Sequence, residues 1–147
     1  MIALDTNLLV YAHRRDAHWH HPAARALRNL AESQNPWAIP WPCIHEFLAV
    51  VTHPRIFHPP STVAEALNQV EAWLESPSLV LLAEGQGYPG HLGDILRSSR
   101  VSGARVHDAR IAALCRYHGV KALWSADRDF SRFPDLTVEN PLISGDP

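Results

Sequence analysis

Apolar positions along the chain alternate between short unbroken runs and stretches at helical spacing. Ile2 to Leu4 is a short apolar run that ends at a capping signal, Asp5-Thr6-Asn7, before Leu8 to Ala12, which predicts a buried strand followed by a helix. From His21 to Ala31, Ala24, Leu27 and Leu30 stand at helical spacing with Arg25 and Arg28 between them, predicting a surface helix that Pro36 closes off. Trp37-Ala38-Ile39 predicts a second strand, and Pro42 suits the first position of a helix running to Val51. In that helix Ile44, Phe47, Leu48 and Val51 follow the i, i+3, i+4, i+7 rule, and Glu46 falls at the edge of the buried face.

The segment from Pro54 to Pro60 predicts a loop. A helix over Ser61 to Leu74 follows, with Ser61 to Ala64 then Glu65 as a capping box one residue out of frame, and Val63, Leu67, Val70 and Leu74 as its apolar stripe. Leu79 to Ala83 predicts a strand, Glu84 to Gly93 a glycine-rich turn region, and Leu92 to Ser99 a helix. Val106 to Tyr117 predicts a helix stopped at Gly119, Val120 to Trp124 a strand, Ser125 to Arg132 a loop with a helical turn, and Leu136 to Glu139 a last strand. Strands and helices in alternation imply an α/β fold, a three-layer α/β/α sandwich with a central, mostly parallel sheet joined by right-handed crossovers. No repeat, linker or low-complexity segment divides the 147 residues, so one domain over 1–147 is expected.

Composition narrows the classes. Hydrophobic residues make up 46% and charged residues 19%, as in globular proteins and unlike disordered ones. No run of 18 apolar residues occurs and no signal-like stretch follows Met1, so a cytoplasmic location is expected. Cys43 and Cys115 form no CxxC pair, which removes zinc-knuckle and redox motifs and leaves two packed thiols. The net charge of -2 argues against a domain that coats nucleic acid by bulk electrostatics. Local charge still matters: Arg97, Arg100, Arg105 and Arg110 lead into the Asp108 segment, where they suit backbone phosphates of a bound strand as well as they suit a solvated face.

In an open parallel sheet, ligands bind beyond the carboxyl ends of the strands, near the point where strand order reverses. Asp5 immediately follows the first strand and Asp127 follows Val120 to Trp124 by a few residues, while Glu46 and Asp108 lie in early turns of helices that begin at the same rim. Carboxylates held together repel one another, and no matching set of cations is offered, so a divalent ion is the natural counter-charge. Hard oxygen donors favour Mg²⁺ or Mn²⁺, which can activate water against a phosphodiester.

Four segments then carry a family resemblance. Asp5-Thr6-Asn7 after an N-terminal strand, Ile44 to Leu48, Val106 to Leu114, and Leu123 to Phe130 resemble in order and spacing the PIN-domain nucleases, over almost the whole chain. More narrowly they look like the VapC toxins of toxin-antitoxin pairs. The resemblance implies a small Mg- or Mn-dependent endoribonuclease acting on RNA, a cognate antitoxin protein as partner, and a homodimer. It implies Asp5, Glu46, Asp108 and Asp127 as catalytic metal-site acids, with Thr6, Asn7 and Ser125 as polar support. Asp129 is secondary on this reading, capping the turn before Phe130. A housekeeping PIN nuclease in RNA processing or decay, and a non-catalytic interaction protein on the same fold, are the competing functions; the short chain favours the toxin, and the intact acid set weighs against a non-catalytic role.

Other signals lead nowhere definite. His45-Glu46 lacks the second histidine of a zinc-protease helix, because position 49 is Ala. His18, His20 and His21 cluster in a polar approach to a helix, and His107 beside Asp108 stays unassigned. Gly85, Gly87, Gly90 and Gly93 are followed by no Gly-Lys-Ser/Thr and are expected to mark turns.

Overall fold

The computed structural model describes residues 1–143. Five strands, β1 (Ile2–Leu4), β2 (Trp37–Pro40), β3 (Leu79–Leu82), β4 (Ala122–Trp124) and β5 (Thr137–Glu139), form one sheet in the order β3-β2-β1-β4-β5. Every pairing is parallel, with Ile2 opposite both Trp37 and Ala122. Six helices connect them: α1 (Thr6–His13), α2 (His20–Glu32), α3 (Trp41–Val51), α4 (Val63–Leu74), α5 (Tyr88–Ser99) and α6 (Val106–Tyr117).

The chain steps outward from β1 to β2 to β3, then returns to the far side of β1 at β4. Right-handed crossovers therefore place α1 to α4 on one face and α5 and α6 on the other. The packing agrees: α1 lies on α2 and α3, α3 on α4, and α5 on α6. Central strands sandwiched in this way lose contact with water on both sides. Trp37, Ala38 and Ile39 are all fully buried, with Phe47, Leu9, Leu114 and Leu123 packed into the same core. The reversal at β1 opens a crevice at the carboxyl ends of β1 and β4, where the two halves of the sheet diverge.

Three expectations need correction. The capping box lies in frame on Thr62, not on Ser61: Thr62 Oγ1 accepts from the Glu65 amide at 3.0 Å and Glu65 Oε1 accepts from the Thr62 amide at 3.2 Å. Ser61 is buried instead, and its hydroxyl meets the His13 ring at 2.9 Å and the Arg14 guanidinium at 3.2 Å. Second, the buried face of α4 is Ala66, Val70 and Trp73, so Val63, Leu67 and Leu74 of the expected stripe stand exposed. Third, α5 begins at Tyr88, which puts Gly90 and Gly93 inside a helix. Two glycines cost helix stability, but burial of Tyr88 and Ile95 and the packing against α6 offset it. Gly85 and Gly87 do sit in the turn, where the Tyr117 ring lies so close that a Cβ on either would collide with it.

The frame of the box yields a first prediction. Thr62→Ala removes the acceptor for the Glu65 amide and should lower unfolding free energy by about 1 kcal/mol in urea titration. An unchanged midpoint would show that water caps α4 equally well.

Candidate active site

Asp5 ends β1 and caps α1, and it is 6% exposed. Its Oδ1 accepts from the Thr6 amide at 2.8 Å and faces the Cys43 thiol at 3.7 Å. Its Oδ2 accepts from the Ser125 hydroxyl at 2.7 Å and lies 3.5 Å from Asn7 Nδ2. Ser125, also buried, accepts in turn from the Asp127 amide at 3.0 Å and from Asn7 Nδ2 at 3.3 Å, while Asn7 Oδ1 accepts from the Ala126 amide at 3.2 Å. Thr6 donates its hydroxyl to Glu46 Oε2 at 3.1 Å. Residues more than a hundred positions apart are thus locked into one network, and Thr6, Asn7 and Ser125 stand where polar support was expected.

Asp5, Glu46, Asp108 and Asp127 all line a single cleft of about 480 Å³, together with His45, His107 and Arg110. Burial raises the Asp5 carboxyl to about 6, against the opposing pull of the Ser125 and Thr6 hydrogen bonds, and the charges of Glu46 and Asp127 push the same way as burial. Asp108, in the first turn of α6, is raised as well, by burial first and then by Asp127, Asp129 and Glu46. These acids therefore feel one another. They surround the cleft without forming a finished coordination sphere: among the described residues, no three acidic, histidine or cysteine side chains are gathered closely enough to hold an ion as they stand.

As donors the four fit a hard divalent cation. All offer carboxylate oxygen, and two guanidinium groups beside them are engaged with other acids: Arg105, whose charge reaches Asp108, with Asp129 at 3.4 Å, and Arg110, which lines the cleft, with Glu84. Of the other arginines expected to meet phosphate, Arg97 pairs with Asp94 and Arg100 forms the left-handed C-cap of α5 with φ 57°. Only Arg110 of that group lines the cleft.

Asp129 is corrected in one respect. The turn before Phe130 is capped by Asp127, whose Oδ1 accepts from the Asp129 amide at 2.9 Å, and Asp129 itself is exposed and paired with Arg105 and Arg132. Cys43 is a packed thiol as expected, but it also reaches Asp5, a contact that its place one helical turn before Glu46 could have suggested. Burial pushes the Cys43 thiol well up, and the Cys115 thiol to about 12, so both stay neutral. Among the described residues, the histidines at 18, 20 and 21 gather no ion site; the His20 ring lies 3.0 Å from the Tyr11 carbonyl.

The sequence profile of the PIN domain matches residues 2–136. Among curated proteins, the chain is 33% identical over 143 residues to VapC ribonuclease Mb2897 of Mycobacterium bovis, covering 97% of this chain and 96% of that protein. It is 35% identical over 147 residues to ribonuclease VapC31 of Mycobacterium tuberculosis, covering 97% of this chain and all of that one. Among solved structures, the VapBC2 complex of Rickettsia felis bound to a promoter DNA fragment superposes with a TM-score of 0.69 at 21% identity, over 95% of this chain and 98% of the other. VapC20 of Mycobacterium tuberculosis, a toxin that cleaves the sarcin-ricin loop, gives 0.65 at 14% identity, over 89% and 93%.

Proposed function

The chain belongs to the PIN-domain family, and on that premise we propose that it is a metal-dependent endoribonuclease, the toxin of a toxin-antitoxin pair, with Asp5, Glu46, Asp108 and Asp127 as its metal-site acids. The observation that carries the proposal is the shared cleft, in which carboxylates from β1, α3, α6 and the segment after β4 face one space. Curated relatives of the full chain are named ribonucleases, and the structural neighbours include toxin-antitoxin complexes.

Each residue has a part that its contacts support. Ser125, Asn7 and the Thr6 amide hold Asp5 in one rotamer, so its oxygens need no reordering when a ligand arrives. Thr6 does the same for Glu46. Asp108 and Asp127 complete the negative cleft from the opposite half of the sheet. Mg²⁺ or Mn²⁺, when bound, supplies the positive charge that lets a phosphodiester approach and that lowers the pKa of water. RNA is the substrate, an antitoxin the protein partner, and a homodimer the assembly under this proposal.

The test is expression of the chain with and without the protein encoded by the neighbouring reading frame, and mapping of RNA ends cut by the purified protein. Cleavage that needs Mg²⁺ or Mn²⁺ and is silenced by the neighbour supports the toxin reading. Cleavage that persists in EDTA overturns the metal site, and cleavage without toxicity or a silencing neighbour favours a processing nuclease.

The two acids after β4 separate cleanly. Asp127 lines the cleft and Asp129 does not, so Asp127→Asn should slow cleavage far more than Asp129→Asn. Asparagine keeps the capping oxygen at 127, so a folding defect does not confuse the comparison. Steady-state cleavage rates of the two variants decide it, and the reverse ranking would move the site acid to 129.

A further inference from the structure

One wall of the cleft carries no charge. Beside the acids it is lined by Tyr11 of α1, Val50 of α3, one turn on from Glu46, and Ile56 and Phe57 of the 52–62 connection that follows α3. Among the large apolar side chains that are exposed in the described residues, Ile56, at 51% exposed, is the one that lines this cleft. A single exposed isoleucine is ordinary by itself, but this one shares the cleft with Tyr11, Val50 and Phe57, and together they give the acid-lined cleft an apolar patch that the apolar part of a ligand can cover.

The connection that presents it is held in place. The Arg14 guanidinium lies 4.3 Å from the centre of the Phe57 ring and donates to the Pro59 carbonyl at 3.0 Å and to Ser61 Oγ at 3.2 Å. Asp16 anchors the same guanidinium from the other side at 2.6 Å and 2.9 Å. A wall fixed before a ligand arrives loses little conformational freedom on binding.

Charge decides which part of an RNA would meet it. The chain carries a net charge of -2, the cleft is lined by four acids, and Arg110, the one arginine that lines it among the described residues, is paired with Glu84. Beyond the scissile phosphate that a bound cation would meet, a strand's phosphates find little attraction there, so the flanking nucleotide has to be held by another of its parts. Unpaired bases are held on apolar and aromatic side chains when single-stranded RNA is recognised.

The geometry points to a base subsite on this wall: Ile56 and Phe57, backed by Arg14, take an unstacked nucleobase next to the scissile phosphate and set which nucleotides are tolerated there. This rests on the ribonuclease reading above. The subsite needs no metal contact of its own, and Val50 joins it to the acids one turn along α3 from Glu46.

The experiment compares the full-length wild type, Ile56→Ser and Phe57→Ala on a pool of random single-stranded RNA 12-mers with Mn²⁺, sequencing the cut ends and measuring KM and kcat on one cleaved 12-mer. Loss of the wall should raise KM about tenfold with kcat within a factor of two, and should flatten base preference beside the cut. The shift in melting temperature on adding Mn²⁺ should stay at the wild-type value, which separates a lost subsite from a damaged metal site. Ile56→Ser acts at an exposed position, so it remains decisive if Phe57→Ala misfolds. Unchanged KM and base preference overturn the subsite while leaving the ribonuclease reading intact. Variants that cut normally but escape silencing by the neighbour-encoded protein also overturn it, since the wall would then dock protein. A wild type that cuts none of the pool, yet fails on every natural RNA as well, removes the ribonuclease reading and the subsite with it.

Discussion

Asp108→Asn should remove nearly all RNA cleavage and most of the stabilisation given by manganese, yet leave the metal-free protein at least as stable as the wild type. The side chain sits in the first turn of α6, where the helix amides favour an anion by about 0.5 kcal/mol. Against that stand three acids, Asp127, Asp129 and Glu46, whose charges, added to burial, raise its carboxyl above the usual range. The unfolded chain keeps these groups far apart and feels none of the repulsion. An amide of the same size therefore relieves the folded state, and in EDTA the variant should melt at the same temperature or higher. Metal reverses the comparison. A ligand that binds only the folded protein stabilises it by RT ln(1 + [L]/Kd), about 2.7 kcal/mol at a hundred times Kd. The wild type should gain that shift and the variant much less. Cleavage should fall by about a thousandfold, the equivalent of about 4 kcal/mol of lost charge stabilisation in the transition state. Thermal scans with and without Mn²⁺, beside cleavage assays, measure all three. Equal metal shifts in both proteins, or a variant plainly weaker in EDTA, would show that Asp108 is an ordinary structural acid.

The second large effect lies at Asp5 and depends on pH. Its carboxyl is raised by burial to about 6, against an ordinary value of 3.8 in the unfolded chain. A raised carboxyl binds its proton more tightly when folded. The stability it contributes is therefore complete below about pH 4 and is lost as pH rises through about 6. The difference between 3.8 and about 6 corresponds to about 3 kcal/mol when both limits are reached. Asp5→Asn cannot titrate, so in EDTA the wild type should lose about 2.4 kcal/mol relative to the variant between pH 4 and pH 7. Using the difference cancels the contribution of the ten histidines, which both proteins share. Urea unfolding at half-unit steps of pH gives the curve. A flat difference would mean that Ser125, Asn7 and the Thr6 amide fully compensate the buried charge, and a slope of opposite sign would mean that they overcompensate it.

The acid at position 5 shows how a site can be built against stability. A carboxylate with two oxygens tied to a hydroxyl, an amide and a thiol is well ordered, but burial still disfavours its charge. The folded protein thereby holds in readiness a charge that a bound cation would compensate, which is the usual relation between strained electrostatics and function.

Much of this was open to a reader of the sequence. The alternation of short apolar runs with helical spacing settled the order of strands and helices, because periods of 2 and 3.6 are properties of the local chain. Asp5 and Asp127 could be placed at strand ends, and Glu46 and Asp108 in early helical turns, because the parallel α/β pattern sends every strand's carboxyl end to the same rim. Tertiary structure decided the rest. Periodicity identifies an apolar stripe on α4 but not its rotation about the helix axis, and the neighbours chose Ala66, Val70 and Trp73 over Val63, Leu67 and Leu74. Helix propensity predicted a late start for α5, and packing against α6 carried the helix back through Gly93 and Gly90 to Tyr88. The arginines near Asp108 looked like one cluster because they are close in sequence, yet each found a different place in space: Arg97 with Asp94, Arg105 with Asp129, Arg110 with Glu84, and Arg100 at a helix cap. The apolar wall at Ile56 and Phe57 had no local signature at all, since it exists only where α1, α3 and a loop meet. Local periodicity depends on neighbours in the chain, whereas burial, ion pairing and the walls of a cleft depend on neighbours in space, which a linear pattern does not contain.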